Sequence, residues 1–235
     1  MKGPLFYLIA VAAAELVTTL GSPLAGVILH ALLLLALVTH ASFASRHPVH
    51  KLYLALSLAP LIRILSLSMP LGGIPVLYWY AIIAVPLLAA TFLSIRLLGY
   101  FPREVGLTPR RLPLQLLIGL IGLPLGVVEY LVLKPQPLVE GFDLGALWLP
   151  VLILVVGTGF TEELIFRGVL QKAALEKMGG WGLAYASVVF ALLHVGYYSV
   201  AELVFVFTVG FFFAWMVLRS GSILGVSVAH GLLNS

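Results

Sequence analysis

The sequence predicts an all-α fold, a polytopic membrane helix bundle. Three observations predict it. Hydrophobic residues fill 62% of the chain and charged residues only 9%, against about 25% charged in an average soluble domain. Apolar runs long enough to span a bilayer occupy most of the length. Ionisable residues inside those runs recur at helical spacing, as expected where several helices share an intramembrane polar cavity. Residues 1–235 therefore read as a single membrane-embedded domain, with the chemistry concentrated in 145–235.

Candidate spans fall near 4–20, 22–40, 52–70, 75–98, 113–133, 146–170, 181–197, 200–218 and 221–235. The first begins behind Met1-Lys2 and contains Glu15. The next apolar run follows at once, so the segment reads as a retained span rather than a cleaved leader. Gly21-Ser22-Pro23 is either a turn or a break in one long element, which gives eight or nine spans. The third span carries Arg63, the fifth ends near Glu129, and the eighth starts near Glu202. Glu15 and Arg63 each need protein, a polar cavity or an interface around them. They are expected either to pair, linking distant parts of the chain, or to contact substrate or lipid. Glu129 and Glu202 are expected at the interface. Residues 99–112 mix Phe101, Val105 and Leu107 with arginines, which suits a segment lying at the membrane surface or a basic loop.

Basic residues occupy alternate loops. Arg46, His47, His50 and Lys51 follow the second span, and Arg96, Arg103, Arg110 and Arg111 follow the fourth. Lys172 and Lys177 follow the sixth, and Arg219 the eighth. The opposite loops hold Lys134 beside Glu140 and Asp143. The positive-inside rule puts the N-terminus in the cytoplasm, and an integral protein of a prokaryotic inner membrane is expected. A formal net charge of +4, scattered in this way, is no nucleic-acid footprint. Oligomeric state is not legible. Cysteine is absent, which excludes disulfides and thiol catalysis.

The chemistry sits in three same-face pairs. Glu163 and Arg167 are four apart and able to pair. Glu162 is rotated from Glu163 by about 100°, so one glutamate can be neutralised while the other faces a cavity. That division favours Glu162 as the reactive carboxylate, a general base tuned by a low-dielectric pocket and a histidine. Phe190 lies one turn before His194, where an aromatic ring limits solvent and fixes the imidazole. His230 and Asn234 form the third pair. An amide donor suits a developing oxyanion, and His230 can donate beside it. Pro150, Gly157 and Gly159 either weaken the sixth helix or let other helices approach, and Thr161 is placed to cap a helix restarting there.

The ordered set Glu162-Glu163-x-x-x-Arg167, Phe190-x-x-x-His194 and His230-x-x-x-Asn234 resembles the signature of the CAAX-processing and bacteriocin-processing intramembrane protease family. It is similar to the prenyl-protein endopeptidase branch called Ras-converting enzyme. The resemblance covers roughly 145–235. It implies a helical bundle with a conical cavity and glutamate-based peptide hydrolysis without metal or other cofactor. It also implies that Glu162 and His194 activate water, that His230 and Asn234 form the oxyanion site, and that Glu163 and Arg167 hold the architecture. The substrates implied are a prenylated C-terminus, a bacteriocin leader or a C-terminal sorting tag, met among membrane lipids.

Two other readings stay open. Glu162, His194 and His230 are a possible zinc set with a position left for water, although no His-Glu-x-x-His helix is present. Intramembrane Glu, Arg and His also suit a transporter or a peptide-binding scaffold. A depth mismatch is expected as well. With the sixth span ending near Leu170 and the seventh starting near Trp181, Glu162 lies about 10 Å and His194 about 20 Å from the cytoplasmic edge.

Overall fold

Ser22 settles the first boundary. Its hydroxyl accepts from the Ala25 N–H at 3.4 Å, and Pro23 takes the first helical position. One helix ends and another starts there. The computed structural model describes residues 2–133, 145 and 147–235. Lys134, Glu140 and Asp143 of the expected outer loop, and Ala146 at the start of the expected sixth span, lie outside the described residues. Among the described residues every regular element is helical.

Among the described residues, seven helices are long and apolar enough to cross a membrane, by length and composition. They are α1 (Lys2–Leu20), α2 (Pro23–Phe43), α3 (Val49–Ser68), α4 (Val76–Leu97), α5 (Leu112–Val132), α6 (Trp148–Met178) and α8 (Val200–Ser220). The other two expected spans, 181–197 and 221–235, form only α7 (Trp181–Leu192) and α9 (Leu224–Leu233). Their 12 and 10 residues cover about 18 and 15 Å, roughly half a hydrocarbon core. In place of the expected eight or nine spans, the described residues hold seven full-length helices and two half-length ones.

Both short helices are cut by local backbone. Past α7 the chain makes a 3₁₀ turn, Val195–Tyr197, and Tyr198 reverses it at φ +55°. Ser199 then caps α8 by accepting from the Glu202 N–H at 3.1 Å. α9 starts late because Gly221 turns the chain at φ +73° and the Ile223 N–H is held by the Gly106 carbonyl at 3.0 Å.

α6 is longer than expected, at 31 residues. Its polar last turns continue as helix because Lys172 and Glu176 pair at 3.2 Å and reach across the same end of the bundle. Lys51 meets Glu176 at 3.6 Å, Lys172 meets Glu104 at 3.7 Å, and the Tyr100 hydroxyl donates to Glu176 at 2.8 Å. Burial, with that bond to a carboxylate, pushes the Tyr100 phenol far above its usual range. The segment 99–112 belongs to this end. Its 3₁₀ turn Pro102–Val105 buries Val105 in the core and leaves Phe101 exposed.

α6 and α7 are joined by Gly179 and Gly180 alone. Depths measured from this hairpin are directly comparable. Glu162 lies sixteen positions before Met178, about 24 Å along the helix, and His194 lies thirteen beyond Trp181, about 20 Å. The expected mismatch disappears because α6 does not end near Leu170.

Small residues set the helix spacing around α6. A side chain at Gly157 would meet the Tyr80 backbone at 3.1 Å, and one at Gly159 would meet the Gly231 nitrogen at 2.8 Å. α4 and α9 therefore approach α6 closely. Thr161 caps nothing, since α6 continues through it and its hydroxyl donates to the Val156 carbonyl at 2.9 Å.

Candidate active site

Two π-helical stretches, Val155–Phe160 and Leu164–Leu170, bracket Thr161–Glu163 within α6. Such wide turns often mark functional positions in helices. Here they surround the two glutamates. Glu163 is fully buried, and its Oε1 accepts from Arg167 Nη1 at 2.9 Å and from His230 Nδ1 at 2.8 Å. Arg167, also buried, donates from Nη2 to the Gly210 carbonyl at 3.2 Å. Its guanidinium lies 4.2 Å from the centre of the Phe190 ring, a cation–π contact out of water. One glutamate, one arginine and one histidine from α6 and α9 thus meet at Glu163 Oε1, tied by backbone and ring to α8 and α7, while Glu163 Oε2 is buried with no hydrogen bond to the described residues.

Glu162 faces elsewhere. It lines a pocket of about 390 Å³ together with His194, Tyr80, Phe166 and Arg63. The pocket brings α6 to the end of α7, with α3 and α4 completing its walls. His194 Nδ1 lies 2.9 Å from the Phe190 carbonyl. A carbonyl only accepts, so Nδ1 carries a proton.

Phe190 is the partition of the site. Its ring centre lies 4.7 Å from that of His194, 5.9 Å from that of His230 and 5.0 Å from that of Phe166. Each imidazole packs on it. His230 Nε2 approaches Glu162 Oε2 at 3.8 Å, so this ring stands between the two glutamates. Asn234 Nδ2 donates to the Thr158 hydroxyl at 3.2 Å, and that hydroxyl donates to the Leu154 carbonyl at 2.6 Å.

The seven residues singled out in the sequence fall into two connected groups. Glu162 and His194 line the pocket, while Glu163, Arg167 and His230 form the buried network behind it, with Phe190 between. Asn234 joins through Thr158 and is not itself among the pocket-lining residues. Sequence reasoning passed over Thr158, although it precedes Glu162 by four and so shares its face. It noticed Arg63 but not its place in the pocket. Arg63 does pair with Glu15, through Nε to Oε1 at 2.6 Å and Nη2 to Oε2 at 2.5 Å. Glu202, expected at the interface, is instead 1% exposed.

Among the described residues no group of three or more His, Cys, Asp or Glu side chains is arranged to hold a metal ion. Glu162, His194 and His230, which the zinc reading needs, form no such group.

Fold and site together define a polytopic helical membrane protein with a carboxylate and an imidazole on one pocket, backed by a buried ionic network. The family described as type II CAAX prenyl endopeptidase Rce1-like matches this chain over residues 144–235. The match takes in all three motif pairs and less than half of the chain, and it supports proteolysis in general. No curated protein and no solved structure matches.

Proposed function

We propose that the chain is an intramembrane endopeptidase. It hydrolyses a peptide bond near the terminus of a membrane-associated or lipidated protein, using water activated by Glu162 and His194. The observation that carries this reading is the convergence of those two side chains, 32 positions apart in sequence, on one pocket of about 390 Å³. The partial match to a CAAX prenyl endopeptidase family supports the same reaction class and a lipidated substrate.

In this mechanism a water molecule in the pocket gives a proton to Glu162 as its oxygen attacks the scissile carbonyl carbon. His194, on the same pocket, orients that water. The carbonyl oxygen becomes an oxyanion. Asn234 Nδ2 has two N–H groups and spends one on Thr158, leaving the second for that oxygen. His230, as the imidazolium, serves the same oxygen, its Nδ1–H donated to Glu163 and its Nε2–H to the oxyanion. Collapse breaks the C–N bond, and the proton held by Glu162 passes to the leaving amine. The products are a new carboxylate and a new amine, with no acyl-enzyme and no metal.

The basic loops gather at one end of the bundle, which supports a cytoplasmic N-terminus. The site then lies about 20 to 24 Å from the cytoplasmic α6–α7 hairpin. About 12 Å of that distance is the polar end of α6, Gln171–Met178.

The test compares membrane-associated peptides from cells carrying wild-type protein with those from cells carrying Glu162→Gln. Fragments with one shared cleavage pattern are expected only with wild type. Identical fragments from both strains would remove Glu162 from the mechanism, and a peptide that binds but is never cut would favour a scaffold.

A further inference from the structure

Arg63 is the cation on the pocket wall, and the family motifs give it no role. Its guanidinium has five N–H groups. Nε donates to Glu15 Oε1, and Nη2 donates to Glu15 Oε2 and to the Leu193 carbonyl at 2.6 Å. Those bonds use three N–H groups and fix the plane of the guanidinium. Glu15 is fully buried, with His30 Nε2 a further 3.3 Å from its Oε1. Arg63 is the partly open member of the pair, its side chain 18% exposed where it lines the pocket. Nη1 makes no hydrogen bond to the described residues, leaving two N–H groups in a fixed orientation.

We infer that Arg63 is the anchor for an anionic group of the substrate, in the same pocket as Glu162. Ile62, Phe166 and Leu193 give the pocket apolar walls, so it suits a peptide with apolar side chains. In such a peptide the group that always carries negative charge is the C-terminal carboxylate. The two N–H groups on Nη1 accept it by charge-assisted hydrogen bonds. Glu15 keeps the arginine affordable at membrane depth, and the bond to Leu193 ties the anchor to the residue before His194. A peptide held by its free C-terminus at Arg63 is cut a short, fixed distance from that end. The inference rests on the proteolytic reading of the pocket, but its test does not require turnover.

The test measures binding to Glu162→Gln protein in nanodiscs, by fluorescence anisotropy. The probes are a labelled peptide of S-farnesyl-cysteine followed by three apolar residues, as the free acid and as the C-terminal amide. The free acid is expected to bind about 10- to 100-fold more tightly, the range for hydrogen bonds to a charged group. The added double substitution Glu15→Gln with Arg63→Gln removes both charges together and is expected to bring that ratio close to one. If the double variant does not fold, Arg63→Lys, which keeps the pair with Glu15, must lower the ratio. Equal binding of acid and amide overturns the inference, as does a ratio that survives these substitutions. Equal weakening of both peptides makes Arg63 a brace only, and binding of neither peptide also overturns the anchor. If wild-type protein leaves both peptides intact, proteolysis fails while the acid-to-amide ratio still decides the role of Arg63.

Discussion

Arg167→Ala gives the most quantitative prediction. The guanidinium is 3% exposed and meets Glu163 at 2.9 Å, the Gly210 carbonyl at 3.2 Å and the Phe190 ring face. Truncation strands the fully buried Glu163 with a single donor, His230 Nδ1 at 2.8 Å. Removing one partner of a buried pair costs about 3–5 kcal/mol, and a lone charge deep in a membrane helix about 2.5–3.5 kcal/mol. The surviving imidazole puts the loss at the lower end, about 3 kcal/mol. That is roughly a 150-fold fall in the ratio of folded to unfolded protein. Glu163→Ala strands the arginine instead and falls in the same range. Glu163→Gln with Arg167→Gln removes both charges and is expected to cost less than the sum of the single truncations. The assay is reversible unfolding in mixed micelles, followed by tryptophan fluorescence. Arg167→Ala within about 0.5 kcal/mol of wild type would refute the claim that the pair is buried and interdependent.

Four further outcomes are expected. Asn234→Ala is expected to lower turnover by about 10²- to 10³-fold, the effect of losing an oxyanion donor, with KM little changed in steady-state cleavage. Gly159→Ala forces a side chain against the backbone of α9 and is expected to cost about 1–3 kcal/mol by overpacking. Gly180→Ala meets nothing within 4 Å and is expected to leave thermal unfolding unchanged. Cleavage by protein dialysed against a strong chelator, and verified metal-free by elemental analysis, is expected to match that of untreated protein; activity restored only by zinc would revive the metal reading.

The full-length helices were legible because apolar length is a local property, and α2, α4 and α8 needed no tertiary information. α7 and α9 were not, because their ends depend on backbone reversals. Tyr198 at φ +55° and the Ile223 N–H held by Gly106 leave no mark on hydropathy. The extent of α6 was missed for the opposite reason. Lys172 and Lys177 read as loop, whereas with Glu176 they form the polar end of a helix, where Lys172 meets Glu104 and Glu176 meets Lys51. Spacing of four foretold the Glu163–Arg167 pair, since that contact is built into one helix. It did not foretell that His230, 67 positions away, binds the same carboxylate. Nor did it show that Arg63 holds the carbonyl next to His194 across 130 positions. Both contacts are products of packing.

The central claim is that Glu162 activates water in a pocket it shares with His194. Purified wild type, Glu162→Gln and His194→Ala, reconstituted in vesicles with one cleavable membrane peptide and matched for folded protein, test it most directly. Cleavage by wild type alone is expected, with both variants unfolding close to the wild-type midpoint. Cleavage by Glu162→Gln at the wild-type rate would contradict it.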